Sequence, residues 1–410
     1  MSEARLDDPV SDAEARHPRC DPDSGEVPPP IAPGASRSGL PRRAAAAGRS
    51  LRGLMVCALF TLAYRALRCA ADAGVTVFVL GNQSSRGMAR SRLCAGYTET
   101  GRSFDGTCDE AMIEAVNNVI MHHGIDFVFA GDQTSTRSLI AMAPRLAAPC
   151  FPMPDLASFD LLNNKWRFTQ LCGELGIQCP PTSLFDDRAE LVASIATGAT
   201  PLPAVIKPLA LDGNRGVIEV TSEAEVMAAV IDYRPVLVQR YIGGADIGAS
   251  VYADRGRIAA YICHRLRRAT YVALDVPVVL EWLTRLVAAT GVSGILNFDL
   301  RLAPDGEVYC LECNPRVFYK MPLSMLLGVN FIGFGLDGLA GAGLTGAGLT
   351  APVVRPPPGL AVRSMKAILA SLPTPWRLTR RDFAMLGYIA SDPVPYIREN
   401  LRIDWEDRSY

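Results

Sequence analysis

The sequence NFDLR at residues 297–301, together with CLECNPR at residues 310–316, decides which fold this chain adopts. Apolar residues alternate or run continuously through both stretches, which predicts two neighbouring strands. The residues APDG at 303–306 predict the turn that joins these strands into a hairpin. A hairpin lays its strands side by side, so polar side chains from both strands come to lie on one surface.

Three oxygen-bearing side chains share that surface. Glu312 and Asn314 are two residues apart and therefore point to the same side of their strand, opposite Asp299 on the first strand. Two carboxylates and an amide oxygen are hard ligands, which suit Mg²⁺, with Mn²⁺ as an alternative. Arg316 adds a guanidinium that can bind a phosphate or a carboxylate through two hydrogen bonds. Taken alone, the pattern fits a solvated surface hairpin equally well.

Composition limits the functions open to the chain. Its 410 residues are enough for two or three domains, and 49% of them are hydrophobic, as in an ordinary globular protein. The 41 basic and 42 acidic residues nearly cancel, so no nucleic-acid or membrane partner is predicted. The longest apolar run, residues 54–64, is shorter than the roughly 18–20 residues that cross a bilayer. Cysteines in apolar runs are typical of reduced core residues and predict a cytoplasmic protein.

The N-terminal segment, residues 1–50, is predicted to be disordered. It contains no aromatic residue, eight prolines and eight acidic residues. Such a segment cannot bury enough apolar surface to offset the entropy that it loses on ordering. Its acidic residues argue against a transit peptide.

Residues 51–155 are predicted to form a Rossmann-like domain with a parallel sheet. A strand–helix–strand pattern occupies residues 54–81, and a helix–strand pattern occupies residues 109–131. Asp132-Gln133-Thr134 follows that last strand, at the edge where open α/β sheets bind ligands. No G-x-G-x-x-G sequence follows the first strand, so dinucleotide binding is not predicted.

Two lysines and a glycine-bearing loop predict a phosphate site further along the chain. Lys165 lies near the start of a predicted helix, and Lys207 ends an apolar strand. The loop at residues 209–216 follows, and its Gly213 and Gly216 allow backbone N–H groups to approach phosphate oxygens. Lysine is the compact point charge with which proteins hold phosphates. The sequence therefore predicts two cations and a flexible backbone around one anionic group.

The strand at residues 236–242 and the residues after it offer contacts for a nucleoside. Gln239 and Ile242 present amide and backbone groups that suit an adenine edge. Asp246 presents a carboxylate that can accept hydrogen bonds from ribose hydroxyls. Together with the phosphate site, this segment predicts a nucleotide-binding cleft.

Taken in order, these features resemble the ATP-grasp superfamily. The resemblance covers residues 54–333 and is greatest for the branch of carbamoyl-phosphate synthase, biotin carboxylase and related carboxylate–amine ligases. It implies an α/β fold followed by an α+β fold, with a Rossmann-like parallel-sheet domain before a two-lobe ATP-grasp domain. It divides the chain into a tail at 1–50, the Rossmann-like domain at 51–155, the ATP-grasp domain at 156–340 and a C-terminal extension at 341–410. The two lobes of the ATP-grasp domain would lie at about 156–240 and 241–340.

The resemblance also implies a role for each candidate residue. By the resemblance, Lys165 and Lys207 would contact nucleotide phosphates, and the loop with Gly213 and Gly216 would close over them. Gln239 and Ile242 would meet the adenine, Tyr241 would lie alongside it, and Asp246 would hold the ribose. Asp299, Glu312 and Asn314 would bind one or two Mg²⁺, and Arg316 would stabilise the transferred phosphoryl group or the acyl phosphate. Two positions depart from the family pattern. Arg240 follows Gln239 where the family's hinge often carries Gln-Glu, and Asp246 stands where Glu is more common.

The implied activity is that of an ATP- and Mg²⁺-dependent ligase. It would activate a small-molecule carboxylate as an acyl phosphate and join it to an amine or similar nucleophile, and a homodimer is left open. A bicarbonate-activating carboxylase is one alternative, against which the lack of an evident biotin-carrying region counts. A nucleotide-binding regulatory protein without turnover is another, against which the complete set of lysines and acidic residues counts.

Overall fold

The structure, a computed structural model, describes residues 50–210, 215–339, 352–371, 376 and 378–397. The predicted disorder of the N-terminal tail therefore lies outside the described residues, apart from residue 50. Gly213 of the predicted phosphate loop also lies outside them.

The first sheet is parallel, as the strand–helix–strand pattern predicts. Its strand order is β3-β2-β1-β4, with every pairing parallel. The strand–helix–strand pattern predicted for residues 54–81 is confirmed at residues 52–81. The elements are β1 (Arg52–Cys57), α1 (Phe60–Asp72), β2 (Thr76–Gly81), β3 (Cys94–Glu99), α2 (Glu110–His123), β4 (Phe127–Ala130) and α3 (Gln133–Met142), with 3₁₀ turns at Gln83–Arg90 and Ala143–Arg145.

Both faces of this sheet are covered by helices. Successive residues of β1 point to opposite sides, so Met55 packs in one core with α1 while Leu54 packs in another with α2 and α3. Both side chains are fully buried. This double burial explains why the strands read as continuous apolar runs, the pattern of a parallel sheet between helices.

A small antiparallel sheet forms the next layer, with strand order β5-β8-β6-β7. Its apolar side chains pack with those of two helices in a separate small core. The inner strand β6 ends at Lys207, which places that lysine where the strand leaves the sheet. The elements are α4 (Leu156–Asn163), α5 (Lys165–Glu174), β5 (Thr182–Phe185), α6 (Arg188–Ala196), β6 (Ala204–Lys207), β7 (Ile218–Val220), α7 (Glu223–Ala228) and β8 (Val236–Arg240).

A larger antiparallel sheet carries the hairpin, with strand order β13-β12-β9-β10-β11-β14. One face packs on α5 and α8, and the other shares a core with α1 and the parallel sheet. The predicted fold class, a parallel-sheet domain before a two-lobe fold, is confirmed. The elements are β9 (Ala245–Asp254), β10 (Arg257–Arg267), β11 (Thr270–Leu274), α8 (Pro277–Thr290), β12 (Gly294–Leu302), β13 (Val308–Asn314), α9 (Met321–Leu326), α10 (Phe331–Leu339), β14 (Ala361–Arg363), α11 (Met365–Leu369) and α12 (Arg380–Ser391).

The C-terminal region ties the large sheet to the parallel-sheet domain. Its strand β14 pairs with β11 at the sheet edge. Further on, the buried carboxylate of Asp392 accepts hydrogen bonds from the Ser91 hydroxyl, the Arg92 backbone N–H and the Tyr64 hydroxyl. These contacts join the described end of the extension to residues 300 or more positions earlier, so its described residues pack with the parallel-sheet domain.

The structure locates cysteines that the sequence predicts to be reduced core residues. Cys310 and Cys313 are buried on either side of Glu312, and both are free thiols. Within the described ranges, no helix is both long enough and apolar enough to span a bilayer.

The Asp382 carboxylate gives a first prediction. Hydrogen bonds from Arg363 hold the pKa of Asp382 at about 2, and the carboxylate is 1% exposed. Because an aspartate in an unfolded chain has a pKa near 4, this stabilisation is complete above about pH 4 and is lost as the pH falls through about 2. We expect Asp382→Asn to lower the free energy of unfolding at pH 7 by about 2 kcal/mol, measured by urea denaturation.

Asp275→Asn is the matched control. Asp275 pairs with Arg355 at 3.6 Å, and both side chains are about half exposed. Such a pair contributes about 0.5 kcal/mol or less. Equal unfolding free energies for the Asp382 variant and the wild type at pH 7, or a difference that does not shrink between pH 4 and pH 2, would contradict the assignment.

Candidate active site

The predicted hairpin is present, with β12 and β13 paired antiparallel. Asp299 lies directly opposite Glu312, and Asn297 lies opposite Asn314. Leu300 pairs with Cys310, so Leu311 is the extra residue of a β-bulge. The hairpin therefore places the four polar side chains on one surface, facing the parallel-sheet domain.

The two carboxylates are close enough to influence each other. The Asn314 amide donates to Asp299 Oδ2 at 3.2 Å and to Glu312 Oε1 at 3.3 Å. Burial, followed by the negative charge of Glu312, raises the pKa of Asp299 to about 7. Burial opposes ionisation of Glu312 too, but Lys165 and Lys207 outweigh it and lower the pKa of Glu312. The repulsion that remains at Asp299 is what a divalent cation would relieve, so the donor set fits such an ion.

Both candidate lysines are buried, and their charges act on Glu312 from different elements. Lys165 starts α5, and its Nζ lies 3.3 Å from Glu312 Oε2. Lys207 Nζ donates to the Gln239 side-chain oxygen at 2.8 Å. Burial lowers the pKa of Lys207, and the charge of Glu312 opposes that effect. The two cations and the acidic pair thus form one charge cluster, although their residues are up to 147 positions apart in the sequence.

The start and end of the glycine loop are fixed by hydrogen bonds. The Lys165 backbone N–H donates to the Leu209 carbonyl at 3.0 Å, which ties the loop to the start of α5. Gly216 has φ +71°, and an added Cβ would lie 3.0 Å from the Tyr233 ring, so glycine is required there. The Tyr233 hydroxyl donates to the Gly216 carbonyl at 2.6 Å.

The predicted nucleoside contacts lie along one strand and its continuation. The Gln239 amide is occupied within the protein, since its nitrogen also donates to the Thr182 hydroxyl at 3.2 Å. Ile242 is buried, and the Tyr241 backbone N–H donates to the Pro203 carbonyl at 3.1 Å. Roles in adenine binding remain predictions for these residues.

Asp246 lies apart from the acidic pair, at the exposed end of the same sheet surface. Its side chain is 78% exposed, and one carboxylate oxygen lies 3.1 Å from Arg301 Nη1. Arg301 is opposite Asp246 in the pairing of β12 with β9. The carboxylate therefore remains accessible to a ligand, and its role in ribose binding remains a prediction.

Arg316 connects the hairpin to the parallel-sheet domain. Its Nη2 donates to the Asn314 side-chain oxygen at 2.9 Å, and its Nε donates to the Gln133 side-chain oxygen at 3.3 Å. The preceding Asp132 is the N-cap of α3, and its carboxylate also accepts from the Ala58 backbone N–H. The carboxyl ends of the parallel strands thus lie next to the candidate site, as predicted for the residues that follow β4.

Three further polar residues at the site are absent from the sequence-based set. Asn297 donates weakly to Asp299 Oδ1 at 3.5 Å and accepts from the Ser250 hydroxyl at 2.9 Å. Lys320 contributes positive charge that acts on the pKa of Asp299. The period-two spacing of Asn297 and Asp299 was an available signal, whereas Ser250 and Lys320 reach the site only through the folded sheet and the turn after β13.

Comparisons with known proteins find similarity over parts of the chain. A family model described as ATP-grasp in the biosynthetic pathway with Ter operon matches residues 232–367. The arginine-specific carbamoyl phosphate synthase large chain of Geobacillus stearothermophilus is 28% identical over 183 residues, which are 40% of this chain and 17% of that protein's length. The chain therefore spans less than a fifth of this curated relative.

Two solved structures have a similar fold. One is the biotin carboxylase domain dimer of the 2-oxoglutarate carboxylase of Hydrogenobacter thermophilus, in complex with MgADP, ADP and bicarbonate. It has TM-score 0.56 and 17% identity over 72% of this chain and 70% of that chain. The other is the L-amino acid ligase of Bacillus licheniformis, with TM-score 0.54 and 18% identity over 71% of this chain and 74% of that chain.

The contact between Lys207 and Gln239 gives a prediction about the site itself. Gln239→Leu removes the oxygen that accepts from the buried ammonium group. We expect the free energy of unfolding to fall by about 1–3 kcal/mol, because a buried donor loses its acceptor. Urea denaturation without ligands measures this change.

Thr182→Val is the matched control, because it removes the other partner of the Gln239 amide and leaves the contact with Lys207 in place. A smaller decrease is expected for this variant. Equal decreases for the two variants would show that the ammonium group does not depend on Gln239.

Proposed function

We propose that this chain, which belongs to the ATP-grasp superfamily, uses ATP to activate a carboxylate and joins the product to an amine or similar nucleophile. The observation that carries the proposal is the charge cluster on the hairpin. Asp299 and Glu312 form an acidic pair, and Lys165 approaches Glu312 to 3.3 Å. An acidic pair beside buried lysines suits a nucleotide polyphosphate and its counter-ion.

The proposed chemistry has two steps. A carboxylate oxygen attacks the γ-phosphorus of ATP, the bond between that phosphorus and the β–γ bridging oxygen breaks, and ADP leaves. The amine nitrogen then attacks the carbonyl carbon of the acyl phosphate, inorganic phosphate leaves, and the nitrogen loses a proton to solvent. Lys207, Lys165 and Arg316 would offset the negative charge gathered during the first step and hold the reacting groups in line.

The Asp299, Glu312 and Asn314 side chains would hold Mg²⁺, or Mn²⁺ in its place. When bound, the ion supplies positive charge next to the nucleotide phosphates. The raised pKa of Asp299 supports this assignment, because burial and the neighbouring charge of Glu312 disfavour two ionised carboxylates without a cation. The MgADP in the similar biotin carboxylase domain also supports it.

A pocket beside Arg316 offers a place for the carboxylate substrate. Its lining is mainly apolar. A guanidinium at the edge of an apolar pocket suits a carboxylate with an apolar side chain. The lining includes Phe129, Leu139, Phe151, Met153, Ile295 and Arg316.

The remaining parts of the proposal concern organisation. We assign residues 51–155 to a Rossmann-like domain that precedes the ATP-grasp fold, 156–340 to the ATP-grasp domain with lobes at about 156–240 and 241–340, and 341–410 to the extension. A homodimer is proposed because one similar structure is a domain dimer. A cytoplasmic setting is proposed because ATP is the substrate and the cysteines of the described residues are free.

An ADP-release assay tests the proposed function. The panel contains amino acids with apolar and polar side chains, sugar acids and bicarbonate, each with and without an amine. We expect ADP release that requires both a carboxylate and an amine. Release with bicarbonate alone would support a carboxylase instead, and ATP binding without release on any substrate would support a regulatory protein.

Glu312→Gln tests the role of the acidic pair. We expect at least about a 100-fold loss of turnover, because the site loses one charged ligand next to the phosphates. The far-ultraviolet circular dichroism should be unchanged. Glu307→Gln is the matched control, since Glu307 is exposed in the turn of the same hairpin and contacts Gln178. Near-normal turnover of Glu312→Gln would remove the basis of the assignment.

A further inference from the structure

Gln133 lies between Arg316, which follows β13, and the start of the glycine loop. It is the first residue of α3 in the parallel-sheet domain. Its side-chain oxygen accepts from Arg316 Nε at 3.3 Å, and its side-chain nitrogen donates to the Ala210 carbonyl at 2.9 Å. One amide thus contacts both the guanidinium after β13 and the backbone at the start of the glycine loop.

The chemistry of these partners fixes the orientation of the amide. Arg316 Nε can only donate a hydrogen bond, and the Ala210 carbonyl can only accept one. The amide oxygen must therefore face Arg316 and the amide nitrogen must face Ala210. Glutamate would lack the donor, methionine would lack both groups, and asparagine would be one methylene too short. Glutamine is the side chain of this length that satisfies both partners.

The backbone under Gln133 is held firmly. The neighbouring Asp132 is 1% exposed, and its carboxylate accepts from the backbone N–H groups of Ala58 and Leu59 at 2.6 Å and 3.0 Å. It also accepts from the Ser135 N–H as the cap of α3. The start of α3 is therefore fixed to the turn after β1, so the Gln133 amide extends from a rigid base.

From Gln133 the contacts continue to the acidic pair. Arg316 donates from Nη2 to the Asn314 oxygen at 2.9 Å and from Nη1 to the Val317 carbonyl at 3.1 Å. The Asn314 nitrogen in turn donates to both carboxylates. The orientation of the guanidinium plane is thus set from the parallel-sheet side by Gln133 and from the hairpin side by Asn314.

We infer that Gln133 is a positioning residue for the phosphoryl-transfer step, acting through Arg316 and through the start of the glycine loop. The inference rests on the proposed function, since it assigns Arg316 to the transferred phosphoryl group. Gln133 couples the parallel-sheet domain to the guanidinium assigned to the transferred phosphoryl group. Its loss lowers turnover by misplacing Arg316 and weakens ATP use by loosening the loop at Ala210.

Steady-state ADP release in Gln133→Met and Gln133→Glu tests the inference on the full chain. Gln133→Met is expected to lower kcat at least about 10-fold and to raise KM for ATP, because it loses both contacts. Gln133→Glu keeps an acceptor for Arg316 but repels the Ala210 carbonyl, so KM for ATP rises while kcat falls less. Gln178→Met is the matched control, because the Gln178 side chain contacts Glu307 at the surface. Unchanged kcat and KM in Gln133→Met would overturn the inference.

A double-mutant cycle separates positioning from a general structural effect. If Gln133 acts through Arg316, the effect of Gln133→Met on kcat should shrink to within about 2-fold in an Arg316→Lys background. An effect of the same size in both backgrounds would refute action through Arg316.

Hydrogen exchange of the segment at residues 205–210, measured by mass spectrometry without substrate, gives a readout independent of turnover. Exchange should increase in both Gln133 variants and remain unchanged in Gln178→Met. If the wild type releases no ADP with any substrate, the proposed function fails, while the exchange data still decide whether Gln133 holds the loop. Unchanged exchange in both variants would rule that role out.

Discussion

The repulsion between two partly buried carboxylates is the constraint that the structure around the site has to satisfy. Asp299 and Glu312 lie opposite each other on paired strands, where burial already disfavours charge. A protein can keep such a pair only by surrounding it with donors and cations. Lys165 and the Asn314 amide supply them here, while partial burial and the charge of Glu312 raise the pKa of Asp299.

This constraint accounts for the way the layers meet. Lys165 starts a helix that packs on the large sheet, whereas Lys207 ends a strand of the small sheet. Arg316 follows the hairpin and reaches the parallel sheet through Gln133. Each layer thus contributes a polar group to one surface, and the apolar faces behind these groups keep the elements in place. Burial by packing and neutralisation of charge therefore depend on each other.

Much of the fold could be predicted from local pattern. Continuous apolar runs indicated the parallel sheet, and the period-two spacing placed Glu312 and Asn314 on one side of a strand, as the structure confirms. The β-bulge at Leu311 was not predicted, because it depends on how two strands pair. The contact of Gln239 with Lys207 and the link from Gln133 to Arg316 were missed for a similar reason. Their partners lie far apart in the sequence, and one chain without its fold gives no signal for them.

The sequence by itself determined the order of the strands and helices, the hairpin and the chemical types of the groups at the site, because periodicity and turn residues act over a few positions. Only the tertiary structure decided how the pKa values of these groups shift and where their side chains point. The pKa values of Asp299 and Glu312 depend on burial and on lysines from other elements. The plane of Arg316 depends on an amide 183 positions earlier. Electrostatic and hydrogen-bond energies follow distance in space, and the packing of the sheets sets those distances.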